Sequence, residues 1–91
     1  TFKKNYKDSA LVLNFVHKKQ LNNTAYEIFY KTGPLAILPM SSPNGAYQST
    51  VIWSNKESLL KKLIASDNNF IKHFMEEIIG NIVGKIIKIN S

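Results

Sequence analysis

Residues 33–53 read GPLAILPMSSPNGAYQSTVIW, and this stretch constrains the fold more than any other. An apolar run from Pro34 to Met40 carries a proline at its start and another, Pro39, near its end. Proline fixes φ and lacks an amide hydrogen, so both mark places where ladder pairing changes. Ser41 to Gly45 supplies a turn, in which Pro43 presets φ and Asn44-Gly45 tolerates positive φ. Tyr47, Ser49, Val51 and Trp53 then alternate with Gln48, Thr50 and Ile52. A period of two signals a strand, and two strands flanking a short loop pair antiparallel.

Upstream, Ser9 to Lys18 reads SALVLNFVHK. Leu11, Leu13 and Phe15 share one side of an extended chain and Val12, Asn14 and Val16 the other; the first side is expected to face the core. Gln20 to Asn23 is a polar turn. In Thr24 to Tyr30, Thr24 and Glu27 have the spacing of a helix-starting capping box. Three aromatics with Ile28 favour a strand instead, and Gly33-Pro34 stops the segment too early for a helix. Ser54 and Glu57 form a second capping box, here ahead of an amphipathic pattern. Leu59, Leu60, Leu63 and Ile64 make its apolar side, opposite Lys61 and Lys62. Asp67 caps the next helix, whose stripe is Phe70, Phe74 and Ile78 with Ile71, Met75 and Ile79 beside them; Gly80 reads as its stop. The later pairs Ile82-Val83 and Ile86-Ile87 are spaced by four, which drifts about 40° per step on a helix of 3.6 residues per turn. A break at Gly80 or Gly84 followed by an extended tail is the simpler reading.

The fold predicted is α+β: a small, mostly antiparallel sheet of four strands (about 9–18, 24–30, 34–40 and 46–54) backed by two C-terminal helices (about 55–65 and 68–79). Ninety-one residues suit one domain or a fragment of a larger one. The first residue is not methionine and the final residues are still apolar, which points to a piece of something longer.

The net charge is +6, and all 12 basic side chains are lysine. Specific phosphate or base recognition favours arginine's bidentate fork, and the lysines are scattered, so no specific nucleic-acid partner is expected. The absence of cysteine excludes disulfides, thiolate catalysis and sulfur-ligated zinc. It fits a cytoplasmic location. No signal-peptide pattern is visible, since Thr1 to Lys7 is followed by Asp8 and a strand-like run. No run of about 20 apolar residues could span a membrane.

His17 and His73 lack converging ligands and read as surface or rim residues, with no metal site expected. Adjacent carboxylates on a helix diverge, so Glu76 and Glu77 read as a solvated face. Glu27 is expected to face solvent. Gly80 and Gly84 match G-x-x-x-G outside any membrane helix, and Asn22-Asn23-Thr24 matches a glycosylation pattern by coincidence. There is no G-x-G-x-x-G, no phosphate-binding loop and no defensible Ser-His-Asp set. Phe29, Tyr30, Tyr47 and Trp53 are either core or the lining of a ligand groove.

AYEIFYKTGPLAILPM, then STVIWS and KESLLKKL, resembles the middle segment of flavin-dependent aromatic hydroxylases, in particular the branch that hydroxylates polyprenyl phenols in ubiquinone biosynthesis. The corresponding parts are Ala10 to Val12, Ala25 to Phe29, Gly33 to Pro39, Val51 to Ser54 and Phe70 to Gly84. The family's dinucleotide fingerprint and its Gly-Asp segment are not in this sequence, and position 28 holds Ile where that branch usually has a basic residue. The resemblance implies the substrate-side sheet of an NAD(P)H- and FAD-dependent monooxygenase of the p-hydroxybenzoate hydroxylase type. In such an enzyme this sheet covers the flavin ring and shapes the aromatic pocket.

On that resemblance Phe29, Leu38, Pro39 and Trp53 are expected to line the substrate pocket, with no catalytic residue assigned. The implied partners are a polyprenylated aromatic substrate, the parent's flavin-binding domain and a peripheral contact of the parent with the inner face of a membrane. These residues alone should bind no FAD and be inactive. Two rival readings are a basic module for an acidic partner, which rests on charge alone, and a non-catalytic interaction domain. In the latter an exposed sheet surface drives self-association.

Overall fold

A computed structural model describes residues 2–4, 9–31, 33–41 and 45–90. Its elements are β1 (Phe2–Lys4), β2 (Ser9–His17), β3 (Tyr26–Tyr30), β4 (Gly33–Met40), β5 (Tyr47–Asn55), α1 (Glu57–Ala65), α2 (Asn68–Val83) and β6 (Ile86–Ile89). The architecture is α+β, as the sequence implies, but the sheet is larger than four strands. A path β1-β2-β5-β4-β3 is joined by β6, which also pairs with β2. Every pairing is antiparallel. β1 has three residues and β6 four, too few for alternation to declare itself.

The long edge of β2 opposite β5 is divided between the two short strands. β1 takes its first part, with Phe2 opposite Leu11, and β6 its last part, with Ile89 opposite Phe15. Past Ile89, the Asn90 amide still donates to the Asn14 carbonyl at 2.8 Å. The tail after Gly84 is thus extended, as its spacing suggests, and it is a paired strand.

Paired residues share a face, so the register assigns two surfaces. Leu11, Trp53, Leu35 and Ile28 form one row, and Leu13, Val51, Ile37 and Tyr26 the next. This face meets Leu60 and Leu63 of α1 and Ile71, Met75, Ile79 and Val83 of α2, all buried in one core. Spacings of three and four keep those helix residues on one side.

The helix ends differ from the sequence reading in two ways. Ser54 stays in β5 and makes no capping box; α1 begins after Lys56, whose amide donates to Asn55 Oδ1 at 2.7 Å. The strand ladder holds Ser54 in extended pairing with Ala10, so the cap position falls two residues later. Asp67 does cap α2, accepting from the Phe70 amide at 2.8 Å. α2 runs through Gly80 and stops at Gly84, whose φ of 73° falls where an L side chain is rarely found.

Candidate functional site

Among the described residues no helix packs on the second sheet face. Its rows are Glu27–Ala36–Ile52–Val12, then Leu38–Thr50–Asn14, then Met40–Gln48–Val16, with Phe29 beside Pro34. Phe29 is 77% exposed and Leu38 39%, and Met40 and Ile52 are also open. Thr50 gives this apolar wall its polar centre: its hydroxyl donates to Asn14 Oδ1 at 2.6 Å, and Met40 Sδ lies 2.9 Å away. These contacts stitch β2, β5 and β4 together across the face.

The four residues expected to line a pocket are divided by the strand period. Phe29 and Leu38 lie on the open face, on the adjacent strands β3 and β4. Trp53 lies under the helices at 5% exposure, its ring centroid 6.1 Å from that of Phe74 and 6.3 Å from that of Tyr30. Trp53 is a core residue. Pro39 shares the helix-side row of Ser49 and Phe15. Among the other aromatics, Tyr30 packs against the core and Tyr47 lies beside His17. Sequence reasoning passed over Ala36, Met40, Thr50 and Ile52; counting in twos from Leu38 and Thr50 would have gathered them.

His17 is not a surface residue. It ends β2 on the core-facing side, is 2% exposed, and its Nε2 lies 2.8 Å from Ser49 Oγ. Burial pulls its pKa below the usual 6.5, only partly opposed by the backbone of Lys19 and Val83. Among the described residues Nδ1 has no partner at hydrogen-bonding distance. The ring therefore resides neutral in the core. His73 is exposed, as are Glu27 and Glu77. Glu76 departs from a solvated role: its Oε2 accepts from the Ile86 amide at 2.6 Å and ties α2 to the start of β6. Among the described residues no three His, Cys, Asp or Glu side chains converge as a metal site.

No known protein-family profile matches the chain. Over 79 residues, 87% of its length, the chain is 29% identical to the ubiquinone hydroxylase UbiL of Rhodospirillum rubrum. It spans 18% of that protein's length. The similarity thus concerns one segment of a much longer hydroxylase.

The resemblance read from the sequence implies an FAD-dependent enzyme, so the open face can be tested against that cofactor. A pyrophosphate is held by cations or by amides at a helix N-terminus. The charged strand residues of this face are Glu27 on β3 and, on the outer strands, Lys3 opposite Ala10 and Lys88 opposite Val16, while both helices belong to the opposite layer. Single lysines at the outer strands with no helix N-terminus beside them do not form a cradle for a pyrophosphate, and flavin chemistry is not attributed to this face. What the face does fit is a large apolar or aromatic surface.

Proposed function

We propose that this chain is the substrate-side sheet of an FAD-dependent monooxygenase that hydroxylates a polyprenylated phenol in ubiquinone synthesis. The observation that carries the reading is the uncovered apolar wall of Phe29, Leu38, Met40 and Ile52, in a segment that is similar to a ubiquinone hydroxylase over 87% of its length. A prenyl tail or phenol ring laid on that wall removes apolar surface from water at about 25 cal/mol per Å². The wall orients the substrate and keeps water out, while the flavin-binding domain of the parent supplies the oxygen chemistry. The parent works in the cytoplasm, at the inner face of the membrane where such a substrate resides. No helix among the described residues is long and apolar enough to cross a membrane.

The test has two arms. With the 91-residue chain alone, titration with FAD should give no stoichiometric binding and no NAD(P)H oxidation. In the parent enzyme, Phe29→Ser should raise KM for the prenylated phenol with little change in flavin content. Tight FAD binding and turnover by these residues alone would overturn the proposal. So would an unaltered KM in the Phe29→Ser parent.

A further inference from the structure

The open face changes character from one side of the sheet to the other. Its large exposed apolar residues Phe29, Leu38 and Met40 stand on β3 and β4, with Ile52 next to them on β5. Hydrogen-bonding side chains stand further across, Thr50 and Gln48 on β5 and Asn14 on β2. The two sides also differ in charge. Glu27 lies on β3, whereas Lys88 of β6 and Lys3 of β1 pair on this face with Val16 and Ala10 of β2. Neighbouring strands are about 4.8 Å apart, so β3 and β2 are separated by about 14 Å. Between them, Asn14 has donors to spare. Its Oδ1 accepts from the Thr50 hydroxyl at 2.6 Å, which leaves the two N–H groups of the amide. Among the described residues no acceptor holds them, and the buried side-chain groups without partners are His17 Nδ1 and Trp53 Nε1, not this nitrogen. Asn14 and Thr50 are both half-buried, so the amide opens to solvent within an apolar surround.

We infer that the Asn14 amide anchors the oxygen of a prenylated phenol, with the ring over β2 and β5 and the tail running across β4 to Phe29. The inference rests on the hydroxylase reading and gives the wall a direction that reading lacks. A phenol oxygen accepts from an N–H group, and Asn14 offers two. The lysines on the β2 side favour an electron-rich oxygen there, and the Glu27 carboxylate disfavours one at β3. The reverse placement fails on both counts. The oxygen would lie over β3 and β4, whose residues on this face offer no uncharged side-chain donor. The tail would then cover the Asn14 amide and strip it of water without replacing the lost hydrogen bonds. Thr50 is the positioning residue: by engaging Oδ1 it fixes which end of the amide is turned to the ligand.

The isotope-labelled 91-residue chain would be titrated with ortho-prenylphenol and with prenylbenzene, which has the same body without the hydroxyl. NMR would follow the Asn14 side-chain amide and the Leu38 and Ile52 methyl groups. Both probes should shift Leu38 and Ile52 saturably, and prenylphenol alone should shift the Asn14 amide. Asn14→Val, which installs a good strand former, should weaken prenylphenol by about three- to ten-fold, the equivalent of one hydrogen bond, and leave prenylbenzene no weaker. Should that variant not fold, Thr50→Val should weaken prenylphenol in the same direction and Thr50→Ser should restore it, a rescue that a packing role alone would not give. Saturable shifts at Leu38 and Ile52 with a silent Asn14 amide, or prenylphenol affinity unchanged by Asn14→Val or Thr50→Val, would overturn the anchor and leave the hydroxylase reading standing. No saturation at Leu38 and Ile52 with either probe would overturn the apolar wall as a ligand surface, and the anchor with it.

Discussion

Gly33→Ala should be among the most damaging single-methyl substitutions in the chain. Gly33 opens β4 with a φ of 148°, and a Cβ placed there would lie 2.2 Å from the Ser54 carbonyl oxygen and 2.9 Å from its carbon. Both obstacles are backbone of β5, pinned by the ladders to β4 on one side and β2 on the other. Neither can rotate away as a side chain would; the strands must part. The strained φ costs about 1–3 kcal/mol for a residue with a Cβ, and forcing an extra methyl into a packed site about 1–3 kcal/mol more. The combined loss is at least about 2 kcal/mol, against a total stability of about 5–14 kcal/mol for a chain of this size. At about 4–8 °C per kcal/mol, the melting temperature should fall by at least about 8–16 °C. Urea unfolding followed by the fluorescence of buried Trp53, the chain's one tryptophan, measures it directly. Gly45→Ala is the matched control: its φ is 79° but nothing lies within 4 Å of the added carbon. That control should lose only about 1–2 kcal/mol. A Gly33→Ala protein within about 1 kcal/mol of the parent chain would refute the reasoning, because the ladder would then have yielded freely.

Three further outcomes are expected. Because burial lowers the His17 pKa in the folded state, the unfolded chain binds the proton more readily. The stability this neutral ring permits is complete above pH 6.5 and declines as pH falls below it; urea midpoints at pH 7.5 and 5.5 should therefore differ by less in His17→Gln than in the unaltered protein. Glu76→Ala leaves the Ile86 amide without its carboxylate and should cost about 1–3 kcal/mol; hydrogen exchange should accelerate in β6 more than in β3, and uniform acceleration would contradict the assigned tie. Phe29→Ser should change stability by no more than about 0.5 kcal/mol while reducing concentration-dependent association in the ultracentrifuge, whereas Trp53→Ala should cost about 3–5 kcal/mol; equal costs would show that the two faces have been misassigned.

The ribbon from Gly33 to Trp53 was legible because Pro34, Pro39 and a period of two agree; the turn expected over Ser41 to Gly45, with Pro43 and Asn44, lies largely outside the described residues. The same period also held the information that divided the proposed pocket residues. Leu38 and Pro39 are neighbours in sequence and so must point to opposite faces, as must Ile52 and Trp53. Grouping by hydrophobicity joined what alternation separates. His17 was misjudged because a polar residue at a strand end reads as rim, and nothing local announces that Ser49, 32 positions on, offers it a partner inside the core. Ser54 met the rule for a helix cap but was already committed to a ladder with Ala10, and pairing across the chain overrode a local preference. β6 was hidden for a related reason: IIKI has no period of its own, and only the vacant stretch of β2 beyond β1 makes it a strand.

The shared edge of β2 has a topological consequence. β1 runs away from a point opposite Leu11, while β6 arrives at a point opposite Phe15 and continues to Asn14. At about 3.3 Å per residue along β2, the outer ends of the two short strands approach each other to within about 10 Å. A polypeptide continuing past both would come in and leave through one narrow gate at mid-sheet. Such a module can be spliced into a host protein through that single opening, leaving the host's own backbone almost uninterrupted and the whole apolar wall free to face it.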